Sequence, residues 1–166
     1  VGGGDGMYNV VDPADSRWVY NNSQFGGFGR LDQKTGLRKN IQPTREAGKE
    51  SYRFNWTPPI HLSPHNGAIV YIGAQCLLRS LDRGDHWQEI SPDLTTNDKS
   101  RQQGAGSITF CTITSISESP VKPGVIWVGS DDGKVQVTTD GGANWTDCTA
   151  AVARAGGPAE VWVSRV

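Results

Sequence analysis

An octapeptide occurs twice in this chain, as SLDRGDHW at residues 80–87 and as TTDGGANW at residues 138–145. Both copies begin with a hydroxyl residue and place Asp two, Gly four and Trp seven positions later. Four fixed positions rarely recur by chance in a chain of 166 residues. Internal repetition predicts a fold assembled from similar units, so it constrains this chain more than any single residue does.

A second repeated feature gives the period of these units. In three places a Pro precedes an aromatic residue by seven positions, and successive Pro residues are 51 and then 56 positions apart. The three pairs are Pro13 and Tyr20, Pro64 and Tyr71, and Pro120 and Trp127. The Pro-rich pieces are typical of turns, and the apolar runs after them are typical of buried strands.

Each unit is predicted to contain four short strands. First strands are expected at 7–11, 59–63 and 113–117, third strands at 76–80 and 134–139, and fourth strands at 87–91 and 145–149. The first unit keeps a worn copy of the octapeptide, with Asp32 and Gly36 but no Trp. The polar stretches 37–52 and 92–108 are interpreted as loops.

Four-stranded units at this period predict an all-β fold made of β-propeller blades. Three blades are expected at about residues 5–50, 53–100 and 108–152, followed by the first strand of a fourth at about 157–166. A β-propeller closes with about four to eight blades. We therefore expect an incomplete ring whose partners are further blades of a parent chain or a second copy.

Composition excludes several classes of function. The net charge is −1, from 16 basic and 17 acidic residues, so no binding of nucleic acid or of an anionic membrane is expected. No apolar run reaches the roughly 20 residues that span a bilayer. Cys76, Cys111 and Cys148 have no metal-site spacing and suit either three buried thiols or one disulfide plus a free thiol.

The octapeptide resembles the Asp-box, or BNR repeat, of sialidases, sortilin-type receptors and xyloglucan-degrading enzymes. Its Asp is suited to accept backbone N–H groups in a hairpin turn, its Gly to adopt a conformation that other residues resist, and its Trp to bury a large ring. The resemblance implies structural roles at the periphery of a propeller. The residues concerned are Ser80, Asp82, Gly84, Trp87, Thr138, Asp140, Gly142 and Trp145.

The longer pattern, from GGGDG at residues 2–6 through RFNW at 53–56 to the first octapeptide, resembles large bacterial BNR-repeat proteins of glycosyl-hydrolase-like or sortilin-like type. This resemblance implies a secreted, periplasmic or extracellular protein, although the sequence contains no signal peptide.

Function is expected in the loops at the mouth of the propeller channel. Arg53, Asn55 and Trp56 combine a guanidinium, an amide and an aromatic face, which suits recognition of a sugar or a peptide. Asn21 and Gln24 belong to a second polar loop between predicted strands and are expected on the same face. We therefore predict a recognition or scaffold module with a glycan or peptide ligand.

Two alternatives remain open at this stage. Asp5 and Glu160 are weak candidates for the carboxylate pair of a glycoside hydrolase, which needs two such groups at one sugar. A purely structural module that completes its ring by self-association is the other alternative. No cofactor and no metal site are expected.

Overall fold

The structure, a computed structural model, describes residues 4–102, 108–157 and 160–166, and contains three four-stranded antiparallel sheets. Sheet 1 consists of β1 (Gly6–Val11), β2 (Trp18–Ser23), β3 (Gly27–Asp32) and β4 (Arg38–Asn40). Sheet 2 consists of β5 (Ile60–Leu62), β6 (Val70–Gly73), β7 (Leu77–Ser80) and β8 (Gln88–Glu89). Sheet 3 consists of β9 (Ile113–Glu118), β10 (Ile126–Ser130), β11 (Val135–Thr138) and β12 (Thr146–Asp147). Each sheet is a consecutive meander, as the repeats predict.

Short helices occur between strands. A 3-10 turn covers Gln24–Gly26, α1 covers Lys99–Gln102 and α2 covers Thr149–Arg154. The predicted loops at 37–52 and 92–108 therefore contain β4 and α1 respectively. The fourth strands of sheets 2 and 3 have only two residues each, because the Trp before each strand turns toward the neighbouring sheet.

The register of the strands makes positions in the three sheets equivalent. Tyr20 lies opposite Arg30 in sheet 1, Tyr71 lies opposite Arg79 in sheet 2, and Trp127 lies opposite Val137 in sheet 3. The aromatic residues that follow the repeated Pro residues thus occupy one structural position. We call the face of each sheet that carries this residue its rear face and the opposite one its front face.

The hydrophobic core lies between sheets rather than within them. One cluster joins the rear face of sheet 1 to the front face of sheet 2 and includes Tyr20, Phe28, Ile60 and Ile72. A second joins the rear face of sheet 2 to the front face of sheet 3; its members include Tyr71, Leu77, Ile90, Ile113 and Val128. Because burial of apolar area is the main stabilising term, each sheet depends on its neighbour.

The two octapeptides form the hairpin turns before β8 and β12, and we call residues 80–87 and 138–145 the octapeptide turns. Asp82 Oδ1 accepts the backbone N–H of His86 at 2.8 Å, and Asp140 Oδ1 accepts that of Asn144 at 2.9 Å. The hydroxyl of Ser80 donates to Asp82 at 2.8 Å and accepts the backbone N–H of Gly84 at 2.7 Å. These bonds close the turn on itself.

The Trp of each octapeptide turn is bound to the preceding sheet. Trp87 donates its indole Nε1–H to the carbonyl of Ile41 at 2.8 Å, and Trp145 donates to that of Ile90 at 3.0 Å. Gly84 has φ +92° and Gly142 has φ +103°, a region that L side chains rarely adopt. Each octapeptide turn therefore joins two sheets.

The worn copy in sheet 1 keeps part of this arrangement. Asp32 accepts the backbone N–H of Lys34 at 3.0 Å and binds Arg17 through both carboxylate oxygens. Gly36 has φ +73°. This turn has no Trp, so it makes no indole bond to another sheet.

Residues 160–166 lie beside sheet 3 but are not paired in a strand ladder, where the sequence predicted the first strand of a fourth unit. Their backbone is nevertheless anchored, since Val163 donates its N–H to the carbonyl of Ser130 at 3.0 Å. A first strand forms its ladder with the second strand of its own sheet, and no such strand lies against these residues in the described part of the chain. The ring of three sheets is incomplete.

The three cysteines form no disulfide. Cys76 and Cys111 are buried, and Cys148 is half-buried. Burial raises the pKa of the Cys76 thiol to about 12, which keeps it protonated at neutral pH. The expectation of one disulfide is therefore wrong, and the expectation of three buried thiols holds for Cys76 and Cys111 but not for Cys148.

Candidate functional site

Most of the predicted ligand residues belong to one end of the sheets, which we call the mouth. In each sheet the start of the first strand and the connection between the second and third strands meet there. Gly6 of β1 lies opposite Ser23 of β2, which in turn lies opposite Gly27 of β3. The connections at the mouth are residues 24–26, 74–76 and 131–134, together with the segments that lead into β5 and β9.

An aromatic pair occupies the mouth between sheets 1 and 2. The rings of Phe25 and Trp56 meet edge to face, with centroids 5.1 Å apart and an interplanar angle of 83°. Phe25 is 38% exposed and Trp56 is half-buried. Phe25 has φ +58°, a left-handed conformation that is an outlier for a bulky residue. Backbone strain of this kind concentrates at functional sites.

Asp5 and Gln24 lie beside each other in the same region. The backbone N–H of Asp5 donates to Gln24 Oε1 at 3.0 Å, so the Gln24 carboxamide fixes the segment that leads into β1. Asp5 is exposed and Gln24 is half-buried. Of the Gly run at residues 2–6, Gly2 and Gly3 lie outside the described residues. Gly4 has φ +71°, and a Cβ there would stand 3.0 Å from Gln24 Oε1.

Asn55 is fully buried and belongs to a polar network between sheets 2 and 3. Its Nδ2 donates to Thr112 Oγ1 at 2.9 Å and to Asp131 Oδ2 at 3.0 Å. Asp131 also accepts the backbone N–H of Thr112 at 2.9 Å and its hydroxyl at 2.7 Å. Burial raises the pKa of Asp131, although the bonds from Thr112 and Asn55 oppose this. Asn55 therefore holds two sheets together instead of facing a ligand.

Arg53 is likewise engaged within the protein. Its Nη2 donates to Asp93 Oδ2 at 2.6 Å and its Nε to the carbonyl of Cys111 at 3.4 Å. Its backbone N–H donates to Gln75 Oε1 at 2.8 Å, and only 10% of its side chain is exposed. The guanidinium thus binds the segment that leads into sheet 3.

Neither Asn21 nor Glu160 belongs to the aromatic pair formed by Phe25 and Trp56. The prediction that Asn21 lies in a loop is wrong, because it is half-buried within β2, opposite Asn9 and Gly29. Glu160 is exposed, and its backbone packs against Gly133 in the mouth connection of sheet 3. No hydrogen bond or ion pair in the described residues joins Glu160 to Asp5, whose backbone is bonded to Gln24 of sheet 1.

Sequence reasoning overlooked Phe25 and the adjacent pair Asp131 and Asp132. Asp132 accepts the backbone N–H and the hydroxyl of Thr96, both at 2.7 Å, and the hydroxyl of Ser130. Burial acts to raise the pKa of Asp132, but these hydrogen bonds outweigh it and hold the pKa below its usual value. Both aspartates are at most 3% exposed. The only sequence signal was an Asp-Gly dipeptide, which is typical of any turn.

Within residues 4–102, 108–157 and 160–166, no group of three or more His, Cys, Asp or Glu side chains is arranged to hold a metal ion. The helices of that same part of the chain are too short and polar to cross a membrane. What the mouth does offer is an exposed aromatic pair, a carboxamide and a carboxylate.

Solved structures of β-propeller proteins align with most of the chain. The GH74 xyloglucanase from Xanthomonas campestris matches 93% of it at 20% identity, with a TM-score of 0.61, and the chain covers 24% of that structure. An ancestral GH74 enzyme matches 87% at 19% identity, with a TM-score of 0.59 and 18% of its own length covered. YCF48 bound to a D1 peptide matches 86% at 16% identity, with a TM-score of 0.54 and 39% of its length covered.

These similarities establish a β-propeller fold, and the chain spans only a fraction of each of these proteins. Protein-family models give no match, and no curated protein matches the sequence. At identities of 20% or less the likeness shows the fold alone.

Proposed function

We propose that this chain is a segment of a β-propeller that recognises a glycan or a peptide at its mouth, through Phe25 and Trp56. The observation that carries the proposal is the exposed aromatic pair, one member of which is held in a left-handed conformation. Aromatic rings supply a large, rigid contact surface for sugars and peptides alike. Gln24 and Asp5 lie next to this surface and provide polar groups that fix the orientation of a ligand.

The strain at Phe25 supports a role in binding more than a role in folding. A left-handed conformation costs about 1–2 kcal/mol for a residue with a side chain. An edge-to-face contact contributes about 0.5–1.5 kcal/mol beyond the burial of the rings, which is similar in size to the strain. The ring is also 38% exposed, which leaves area for a ligand to cover.

The compared proteins support the same two classes of ligand. A xyloglucanase acts on a glycan, and YCF48 was solved with a bound peptide. The proposal keeps Trp56 and Gln24 from the predicted set and adds Phe25. It gives Arg53 and Asn55 structural roles, because their polar atoms are bonded inside the protein. We propose the corresponding joining role for the octapeptide turns.

The test is binding to immobilised xyloglucan oligosaccharides and to a peptide array, with three variants. Trp56→Ala and Phe25→Gly are expected to weaken binding at least tenfold, about 1.4 kcal/mol. Phe25→Gly should change the free energy of unfolding by only about 1 kcal/mol, since relief of strain offsets the lost ring contact. The matched control is Leu37→Ala, which removes a 70% exposed side chain in the turn between β3 and β4. Normal binding by both mouth variants would refute the proposal.

Hydrolysis of a glycan is a second candidate, favoured by the likeness to GH74 enzymes. It needs two carboxylates about 5–9.5 Å apart across the scissile bond. Asp5 is exposed beside the aromatic pair and serves as one of them, with the second supplied by another part of a larger protein. Turnover of aryl-glycosides that survives Asp5→Asn would exclude Asp5 from this role.

The proposed location is outside the cytoplasm, as the resemblance to secreted BNR-repeat proteins implies. An extracellular or periplasmic position gives a glycan-binding mouth access to polymeric ligands. Fractionation of the source cells followed by immunoblotting tests it, and recovery in the cytoplasmic fraction would count against it.

A further inference from the structure

The rear face of sheet 3 is an apolar surface with a groove in it. Trp127 on this face is 38% exposed, whereas the equivalent Tyr20 and Tyr71 are 0% and 2% exposed beneath the next sheet. The groove has a volume of about 450 Å³ between this face and residues 161–166. Its apolar lining includes Trp127, Val135, Val152, Val161, Trp162 and Val163.

The position that receives an octapeptide turn is repeated on this face. After the fourth strand, one residue in each sheet donates its backbone N–H to the third strand at 2.8–3.0 Å. The donor and acceptor residues are Ile41 and Phe28, Ile90 and Leu77, and Cys148 and Val135. In the first two sheets the carbonyl of the donor residue accepts the indole N–H of the next octapeptide turn. Cys148 is the third member of this series.

The side chains at this position contact the glycine of the next octapeptide turn. A Cβ on Gly84 would lie 2.8 Å from Cδ1 of Ile41, and one on Gly142 would lie 2.9 Å from Cβ of Ile90. Both octapeptide turns therefore approach the preceding sheet closely at this position. By the same register, the glycine of a further octapeptide turn would cover Cys148, which is half-buried.

Residues 160–166 already occupy the place of the next first strand. Val163 donates its N–H to Ser130, just as Ile113 donates to Ala74 at 2.7 Å. A Cβ on Gly129 would meet the side chain of Val163, and one on Gly73 would meet that of Ile113. The backbone of sheet 3 therefore holds residues 160–166 as sheet 2 holds the start of β9.

Sheet 1 of a second copy does not fit this face. Its front face has Asn9, Asn21 and Gly29 where sheet 2 has the buried apolar residues Ile60, Ile72 and Leu78. Its worn turn has no Trp to donate to Cys148. Its own first strand would also compete with residues 160–166 for one place.

We propose that the rear face of sheet 3 binds a three-stranded partner that uses residues 160–166 as its missing first strand. The partner has an apolar front face and an octapeptide turn whose Trp donates to the Cys148 carbonyl and whose Gly covers the Cys148 side chain. It belongs to a following blade and not to a second copy of this chain. This inference is independent of the proposed function at the mouth.

The test uses an extension built from this chain. By the register above, Val166 corresponds to Ile60, so a copy of residues 61–94 appended after Val166 continues the repeat. The copy includes C76S, which leaves Cys148 as the only half-exposed thiol. The rate at which a maleimide labels Cys148 is then measured by mass spectrometry, with and without the extension. We expect the extension to lower this rate about tenfold or more, because labelling follows the population of the open state.

Two variants of the appended copy make the test specific. Trp87→Ala in the copy removes the indole donor and should restore most of the labelling. Leu81→Ala in the copy is the control, since the Leu81 side chain is 58% exposed in its own turn, and this variant should leave protection intact.

Three results would overturn the proposal. One is unchanged labelling of Cys148 in the extended chain. Another is a hydrogen-exchange result in which the extension is unfolded while residues 1–166 remain folded. The third is concentration-dependent protection of Cys148 in the unextended chain as it dimerises, which would assign the face to a second copy.

Discussion

Trp87 of sheet 2 donates its indole N–H to the carbonyl of Ile41, 46 residues earlier in the chain and in the neighbouring sheet. Trp145 and Ile90 repeat the relationship between sheets 3 and 2. The residue that ends each hairpin turn therefore also connects two sheets. Replacing it changes the stability of an interface as well as that of a turn.

Trp87→Ala is expected to destabilise the protein by about 3–5 kcal/mol, because it removes a large ring from the interface between sheets 1 and 2. Trp87→Phe keeps most of the apolar contact and loses the indole donor, so its cost should be nearer 1 kcal/mol. Urea unfolding followed by circular dichroism measures both. Equal costs for Phe and Ala would show that the hydrogen bond, not the ring, holds the two sheets together.

Gly84→Ala should cost more than Gly36→Ala, although both residues have positive φ. A Cβ on Gly36 meets nothing within 4 Å, so that variant reports backbone strain alone, about 1–2 kcal/mol. A Cβ on Gly84 would also press on Ile41, which adds about 1–3 kcal/mol of overpacking. The free energies of unfolding of the two variants test this difference, and identical values would contradict the inter-sheet contact.

Asn55→Ala should lower stability, whereas Asn21→Ala should not. Removal of the Asn55 amide leaves the buried Asp131 carboxylate with one donor fewer, at a cost of about 1–3 kcal/mol. Asn21 is half-buried on the face of β2 that no other sheet covers, and its replacement should change stability by about 0.5 kcal/mol or less. Thermal unfolding of the matched pair measures this. A stable Asn55→Ala protein that no longer binds a ligand would return Asn55 to the recognition surface.

Stability should fall in acid through the octapeptide turns. The side-chain amide of Asn144, the backbone N–H of the same residue and the hydroxyl of Thr138 lower the pKa of Asp140 from 3.8 to about 2. Because the folded-state pKa lies below the unfolded one, this contribution is present above about pH 4 and is lost as the pH falls toward 2. Asp140→Asn should therefore flatten the dependence of unfolding free energy on pH between 4 and 2. An unchanged slope would exclude Asp140 as a source of acid sensitivity.

The sequence predicted the repeating architecture because its signals are local. Apolar runs, Pro-rich turns and the spacing within the octapeptide each act over fewer than ten residues, and β6, β7, β10 and β11 lie where these signals place them. The helix α2 was not predicted, although its residues TAAVAR include good helix formers, because the segment was interpreted as the end of a blade.

The roles of the mouth residues depend on partners far away in the chain. Arg53 and Asn55 have the chemistry of ligand contacts, and only their neighbours Asp93 and Asp131, 40 and 76 residues later, show that they are engaged internally. Trp56 follows Asn55 directly in the sequence and remains half-exposed. Residue type alone does not separate these cases, since the connections from sheets 2 and 3 decide which side chains are covered.

The acceptor of each indole bond is a backbone carbonyl, and this makes the connection tolerant of sequence change. Ile41 and Ile90 accept the indole through the backbone carbonyl, and Cys148, with a different side chain, takes the equivalent place in sheet 3. The donor and the glycine that fits against it both lie within one octapeptide. A blade copied within a gene thus brings its own means of attachment and needs no matching mutation in the blade before it, which allows chains of this kind to lengthen by whole units.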